Sequence, residues 1–248
     1  MSDLDVTLAT GLIVLVSAVV QSMTGFGFAV LATPLLVLLW KPVDAVAISM
    51  ALSTLSVALL WPRVRRAERL PIVRTLFLAA LVGLPLGLWA LTHVELRWLR
   101  WAIGAVTLAT VAVLAYGARR QVRDAPAAAP PTVLTVTAGL FAGAFTGALS
   151  MPGPPAVMLL MGVRAPKTAY RATLTTFALL IYPVGLAAMA AEGLISGAVI
   201  RQALIQAPVA AIAVYLGDRL HGAVSERQFS GVSLLLLGLS GALCLIRG

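Results

Sequence analysis

The stretch Val6–Trp40 reads VTLATGLIVLVSAVVQSMTGFGFAVLATPLLVLLW and contains no Asp, Glu, Lys, Arg or His. As one continuous helix its 35 residues would extend roughly 50 Å, well beyond the hydrocarbon core of a bilayer, which is about 30 Å thick. The run is interrupted near its middle, at Thr24–Phe28. It therefore has to turn back on itself in or near the membrane.

A second run, Ala125–Val163, repeats this arrangement. It has 39 residues, is equally free of charge, and is interrupted at Ser150–Pro155. Two interrupted hydrophobic segments at matching places in two halves of a chain indicate the substrate site of a transporter. Backbone outside a helix is tolerated in lipid only where it is buried in protein or lines a cavity.

The composition predicts an integral membrane protein. Hydrophobic residues make up 60% of the chain and charged residues only 11%, with a mean hydropathy of +1.00. Soluble domains carry about twice that charge. The net charge of +9 sits in short loops between apolar runs, a distribution that orients membrane proteins, so nucleic acid is not an expected partner. A single cysteine, Cys244, rules out an internal disulfide.

Six further apolar runs are each near the length of one crossing. With the two interrupted runs they predict an all-α, polytopic protein of ten helical pieces, in two halves that each begin with a short broken pair. The Ala-Pro-rich residues 118–131 predict a linker between a first repeat, residues 1–117, and a second, residues 132–248. The six runs are Ala45–Trp61, Thr75–Thr92, Trp101–Gly117, Ala172–Ala191, Gln202–Leu216 and Gln228–Ile246.

The basic loops predict the orientation. If each interrupted run goes out and back, four basic groups fall on one face, and this face is assigned to the cytoplasm of a bacterial inner membrane. The linker is then cytoplasmic and both termini are periplasmic. The groups are Arg63, Arg65, Arg66 and Arg69; Arg119, Arg120 and Arg123; Arg164, Lys167 and Arg171; and Arg219 and Arg227.

The two halves share residues at a constant shift. Thr24-Gly25 matches Thr146-Gly147 at a shift of 122, and the stretch 51–54 (ALST) matches 173–176 (TLTT) at the same shift. Pro85 matches Pro208 at 123. Because each half has a broken pair plus three crossings, the second enters from the opposite side, which predicts an inverted repeat.

Three motifs resemble the signatures of the sulfite exporter TauE/SafE family. They are Gln21–Ala29 with Pro34-Leu35-Leu36 after it, Gly143–Gly147 running into Gly153-Pro154-Pro155, and Lys167–Leu174. The resemblance covers nearly the whole chain and implies a duplicated transporter fold. It also implies export or uptake of small sulfur-containing or carboxylate anions, such as sulfite or organosulfonates. The chain departs from the family pattern at Ser150-Met151-Pro152, where relatives have a glycine-richer turn.

The two interruptions are the predicted substrate site. Gly25 and Gly27 permit positive φ and expose bare amide N–H groups, and helices restarting near Phe28 and Pro155 would direct their positive ends at the turns. A small anion would then bind between the turns near the membrane midplane, with access alternating by motion of one half-bundle against the other. The alternative is that the interruptions are packing kinks. The candidate substrate-binding residues are Gln21, Ser22, Thr24, Gly25, Phe26, Gly27, Phe28, Ser150, Met151, Pro152, Gly153, Pro154, Pro155, Arg171 and Thr175.

Arg171 is the candidate for a fixed positive charge. It opens the helix that follows a basic loop, and we expect it to reach toward the second turn; the alternative is an interfacial arginine that extends to the headgroups. His93, His221 and all nine carboxylates fall in loops or at segment ends, which gives little support to proton coupling. Tyr182-Pro183 and the Ser53-Thr54 pair are further candidates for facing a central cavity, with ordinary packing as the alternative.

The remaining expectations concern what the chain does not do. Its sequence has no metalloprotease, nucleophile-elbow or phosphate-loop motif, so neither an enzyme, a cofactor nor a metal is expected. The expected partners are a small anion and the lipid bilayer, with monomer and homodimer both open. A passive anion channel and a non-transporting membrane scaffold remain as alternatives to a carrier.

Overall fold

Backbone polar groups in hydrocarbon have no water to bind, so apolar runs of this length fold as helices. The computed structural model describes residues 3–120, 130–162, 166–220, 238, 239 and 242, and all its regular structure is helical. The predicted all-α class is confirmed. The helices are α1 (Asp3–Thr24), α2 (Phe28–Leu36), α3 (Pro42–Val64), α4 (Leu70–His93), α5 (Leu96–Arg120), α6 (Thr132–Leu149), α7 (Gly153–Gly162), α8 (Lys167–Ala191) and α9 (Gly197–Leu220), with a single 3-10 turn at Arg65–Ala67.

Among the described residues, seven helices are long and apolar enough to cross a membrane: α1, α3, α4, α5, α6, α8 and α9. Their outer faces carry exposed large apolar side chains, for example Leu86 (67% exposed), Phe141 (61%) and Leu204 (69%). Soluble monomers rarely expose such surfaces, whereas lipid chains cover them without cost. These helices make the chain a multi-pass membrane protein. The predicted tenth helix, Gln228–Ile246, lies almost entirely outside the described residues, as does 121–129 of the predicted linker.

Both predicted breaks are present, with one correction. In each pair only the second helix is short: α1 has 22 residues and α6 has 18, whereas α2 has 9 and α7 has 10. At 1.5 Å per residue α1 is about 33 Å long and can span the hydrocarbon by itself. The chain then returns alongside it, since Trp40 Nε1 donates a hydrogen bond to Thr10 Oγ1 (3.1 Å).

The start of α7 also differs from the prediction. The helix begins at Gly153, so Pro155 is its third residue and not its first. The first four N–H groups of a helix have no partner within it, and a proline at either place therefore removes no hydrogen bond.

Contacts between helices show how the two halves combine. Met50 packs on Gly185 and Trp61 Nε1 donates to Thr176 Oγ1 (3.1 Å), so α3 and α8 run antiparallel. Helix α1 runs parallel to α9, with Gln202 Nε2 donating to Thr7 Oγ1 (2.9 Å) at one end. Helix α4 runs parallel to α6. Each of these two parallel pairs joins a helix of residues 1–117 to a helix of residues 132–220.

The interface of α4 with α6 depends on glycine. A Cβ placed on Gly83 or Gly143 would lie 2.0 Å from a backbone carbonyl oxygen of the facing helix. Gly139, Gly143 and Gly147 follow one another at intervals of four, which places them on one face of α6. Small residues at this spacing allow two helix backbones to pack in direct contact within a membrane.

One end of the bundle carries a cluster of charged residues from three helices. Asp218 at the end of α9 forms ion pairs with Arg63 at the end of α3 and with Arg171 at the start of α8. We call this the basic end. At the opposite end Ser196 Oγ donates to Asp44 Oδ1 (2.9 Å), joining the starts of α9 and α3.

Candidate functional site

The first break, residues 25–27, forms a turn that we call elbow 1. Gly25 and Gly27 have φ of 83° and 107°, as predicted from their identity. The Gly25 N–H donates to Gln21 O (2.7 Å), which extends α1 by one bond. Thr24 Oγ1 bonds within the turn, to Val20 O (2.9 Å) and to the carbonyl of Phe26. Thr24 was expected to present a donor to the ligand, but its hydroxyl stabilises the elbow.

The second break, residues 150–152, forms elbow 2. Ser150 has φ of 59°, the left-handed conformation that glycine adopts most readily. An L-residue in this conformation costs about 1–2 kcal/mol. Two bonds close the turn, from Ser150 N to Thr146 O (2.9 Å) and from Met151 N to Phe145 O (3.0 Å). Serine at this position, where the family pattern is richer in glycine, therefore introduces strain.

The two elbows come together. A Cβ on Gly153 would lie 3.4 Å from the Phe26 ring, so the start of α7 packs against elbow 1. The Phe26 ring also meets Tyr170 edge-on, with centroids 6.1 Å apart. The elbows and α8 together enclose a pocket lined by Gln21, Gly25, Phe26, Gly27, Ala29, Val30, Met151, Pro152, Gly153, Leu174, Phe177, Ala178 and Tyr182.

Contacts along α8 locate the pocket relative to the length of this helix. Elbow 1 lies against Arg171 and Thr175, and elbow 2 receives a bond from Tyr182 Oη to Ser150 O (3.4 Å). These contacts are separated along α8 by about 16 Å, given a rise of 1.5 Å per residue. The pocket lies between them, beside the middle of α8. Its volume is only about 10 Å³, the room of roughly one water molecule.

The structure brings seven of the predicted residues to the pocket: Gln21, Gly25, Phe26, Gly27, Met151, Pro152 and Gly153. Ser22 instead faces α9, where a Cβ on Gly217 would lie 2.2 Å from Ser22 Oγ. Phe28 is fully buried in the core. Thr175 Oγ1 donates to Gly25 O (3.3 Å) and so stabilises elbow 1 without lining the pocket. Thr24, Ser150, Pro154, Pro155 and Arg171 are likewise not part of the lining.

Sequence reasoning missed most of the contribution of α8. Leu174, Ala178 and Tyr182 lie on one face of this helix at intervals of four, and Phe177 lies beside them. The sequence indicates Tyr182 for a central cavity but does not single out the apolar residues. Their spacing from Arg171 was the available signal, since residues three and four apart share a helix face.

The expectation that Arg171 reaches the second turn is wrong. Its Nη2 donates to the carbonyl oxygen of Ser22, just before elbow 1, and to Asp218 Oδ1 (2.8 Å). The Arg171 side chain is only 12% exposed, so it does not extend to the headgroups either. Glycine at position 25 is required by this approach, because a Cβ there would lie 2.8 Å from Arg171 O.

Several buried polar atoms near the elbows have no hydrogen-bond partner among the described residues. They include Gln21 Oε1 in the pocket lining, Ser17 Oγ one turn before it on α1, and Ser150 Oγ in elbow 2. Native proteins pair the large majority of their buried polar groups, so each of these unpaired atoms is a candidate position for a ligand or a water molecule. Within the described part of the chain no group of His, Cys, Asp and Glu is placed to hold a metal ion.

A larger cavity of about 460 Å³ lies at the opposite end from the basic end, between α3, α8 and α9. Its lining is entirely aliphatic, including Leu186, Val199 and Leu204. Aliphatic side chains offer no hydrogen bond to a small anion. We therefore place the candidate site at the elbows despite their smaller cavity.

The chain is a multi-pass membrane protein with broken helices. Two of its crossing helices, α1 and α6, are each followed by an elbow that contains glycine or proline and then by a short helix. The family model described as sulfite exporter TauE/SafE matches residues 10–243, nearly the whole chain. The protein belongs to this family of membrane transporters, as its motifs indicated, and membership implies membrane export of sulfite or a related anion. No curated protein and no solved structure matches the chain significantly.

Proposed function

We propose that the protein is a secondary carrier that binds small sulfur-containing anions, sulfite or organosulfonates, between its two elbows near the membrane midplane. The observation that carries this proposal is the meeting of both elbows at one pocket beside the middle of α8. Two unrelated packing kinks would not be expected to lie at one pocket, whereas the two parts of one binding site must lie there.

The chemistry of the lining suits an oxyanion. The first N–H groups of α2 have no partner within the helix, and Ala29 and Val30 of that turn line the pocket. Unpaired N–H groups and the positive end of the helix dipole attract anions. Rotating the Gln21 amide about its terminal bond exchanges its oxygen with its nitrogen, so this side chain can present a donor. Sulfite and sulfonates need several such donors converging on their oxygens.

The small volume of the pocket implies that the described conformation is closed. Sulfite has four heavy atoms and does not fit a cavity of about 10 Å³. Binding therefore requires the elbows to separate. Elbow 1 belongs to the first half and elbow 2 to the second, so a movement that separates the two elbows would open the pocket. This is the movement that alternating access requires.

The helix pairs support an inverted repeat as the basis of that movement. At a shift of 122 residues α1 corresponds to α6, α3 to α8 and α4 to α9. The pair α1 with α9 then corresponds to the pair α6 with α4, and both pairs are in contact. Helix α3 and its counterpart α8 run in opposite directions. We propose residues 1–117 and 132–248 as the two repeats, joined by the linker 118–131.

We further propose that the basic end faces the cytoplasm of a bacterial inner membrane and that both termini are periplasmic. Arg63, Arg65, Arg66 and Arg69 close the α3–α4 connection beside Arg171 and Arg219, which concentrates positive charge at one end. Loops rich in Lys and Arg are retained in the cytoplasm.

Flux into proteoliposomes tests the proposal. Sulfite, an organosulfonate and a carboxylate are each supplied with and without a pH gradient, and we expect saturable uptake of the sulfur anions. Gly27→Ala is compared with Gly193→Ala as its control. Both glycines have positive φ (107° and 68°) and neither would clash severely, but only Gly27 lines the pocket. Equal flux through these two variants would refute the elbow site, and flux far above carrier rates would indicate a channel.

A further inference from the structure

The ion pairs at the basic end have an unusual composition. The carboxylate of Asp218 is held by two arginines, Arg63 Nη1 at 2.6 Å and Arg171 Nη2 at 2.8 Å. Their side chains come from three different helices and carry a net charge of +1 as a group. One carboxylate between two guanidinium groups leaves a local excess of positive charge next to elbow 1.

Arg171 is the member of this cluster that lies next to the pocket lining, because it contacts Gly25. Arg171 shares one face of α8 with Leu174, Ala178 and Tyr182, all of which line the pocket. It is the member of this face nearest the start of the helix. Gly25 contacts Arg171 on one side and lines the pocket on the other. An anion that leaves the pocket toward the basic end along α8 therefore meets Arg171 first.

We propose that Arg63 and Arg171 form a second anion site one helical turn outside the pocket, which holds sulfite or sulfonate oxygens during passage to the basic end. The carboxylate of Asp218 occupies this site while the elbows are closed. Carboxylate and sulfonate oxygens accept the same charge-assisted hydrogen bonds from guanidinium groups. This inference rests on the proposed function and adds a binding step to it.

Two observations make the exchange of Asp218 for a substrate anion practicable. The side chains of Asp218 and Arg63 are 20% and 44% exposed, so the site is open to solvent from the basic end. Arg171 Nε is buried and has no partner among the described residues. The N–H at Nε is therefore a hydrogen-bond donor that remains available to an anion approaching the Arg171 side chain.

Among the described residues, the position that corresponds to Arg171 in the other half is not charged. At the shift of 122 the position of Arg171 corresponds to Ser49, whose hydroxyl accepts a bond from Thr33 Oγ1 (2.9 Å). A neutral serine there offers no fixed charge. The two routes out of the pocket are therefore electrostatically different, and the second site acts on the side of the basic end alone.

Binding of sulfite to the purified protein at low ionic strength tests this site. Asp218→Asn removes the competing carboxylate while preserving its shape, and we expect the apparent dissociation constant for sulfite to fall about tenfold, the factor of one charge-assisted hydrogen bond. Asp44→Asn is the matched control, because it removes the same charge at the opposite end, where Asp44 pairs with Ser196. Its dissociation constant should equal that of the unchanged protein.

A second variant protects the test against a folding defect. Arg63→Gln combined with Asp218→Asn keeps the net charge of the cluster at +1, and it should bind sulfite more tightly than Arg63→Gln alone. The second site is overturned if Asp218→Asn, folded as judged by its unfolding temperature, binds sulfite no more tightly than the control. It is also overturned if the double variant gains nothing. Absence of saturable sulfite binding in the folded, unchanged protein would instead overturn the proposed function itself.

Discussion

Replacing Gly25 with alanine tests how tightly elbow 1 is held against α8. Its φ of 83° costs an L-residue about 1–2 kcal/mol. The new Cβ would lie 2.6 Å from Arg171 Cγ, 2.8 Å from Arg171 O and 2.9 Å from Arg171 Cα. Two of these atoms belong to the α8 backbone, which cannot move without displacing the helix. Overpacking of this kind adds about 1–3 kcal/mol, so we expect Gly25→Ala to lose about 2–5 kcal/mol of stability.

Two other glycines allow the cost of backbone strain to be measured without the cost of a steric clash. Gly193 has φ of 68° with nothing within 4 Å of its Cβ position, and Gly27 has φ of 107° with Val20 Cγ1 at an ordinary 3.5 Å. Alanine at either place should cost only the strain, about 1–2 kcal/mol. Thermal unfolding of the three purified variants in one detergent provides the comparison. If Gly25→Ala unfolds at the same temperature as Gly193→Ala, the close approach of Arg171 to the elbow does not exist.

Three further outcomes are expected. Arg171→Gln should destabilise the protein by about 1–3 kcal/mol, because it removes the charged donor from Ser22 O and from Asp218, which keeps Arg63 as a partner. Arg63→Gln, whose side chain is 44% exposed, should cost at most about 1 kcal/mol. Thermal unfolding measures both. Gly143→Leu should abolish recovery of folded protein in size-exclusion chromatography, since a Cβ there already lies 2.0 Å from a carbonyl of α4. In a cysteine-free background, an impermeant maleimide should label Gly193→Cys in intact cells and Arg66→Cys only after permeabilisation, and the reverse pattern would contradict the proposed orientation.

The breaks in the two long runs could be predicted because the length of each run exceeds the thickness of the bilayer. A charge-free run longer than the bilayer cannot be one straight helix, and Gly25 and Gly27 mark where the backbone can reverse. The lengths within each pair could not be predicted, because nothing in a uniformly apolar sequence fixes how far a helix extends before its elbow.

The residues lost from the predicted site follow a general rule. Short hydroxyl side chains in helices bond to the backbone of their own turn, and Thr24 and Ser22 both do so. Arg171 was misplaced for a different reason. Its position on α8 was clear from the sequence, but its partners, Asp218 and elbow 1, depend on which helices pack beside it. The glycines of α6 were a missed signal, since Gly139, Gly143 and Gly147 recur at the spacing of close helix pairs.

The pairing of α1 with α9 and of α4 with α6 determines the order in which the molecule can be completed. A ribosome releases α1 first and α9 much later, so the flank of α1 that carries Thr7 and Ser22 must wait in the bilayer without its permanent neighbour. Completion of the packing around α1 thus depends on a helix that is translated much later. A truncation before Gly197 should therefore leave this flank of α1 exposed to lipid as well as deleting α9.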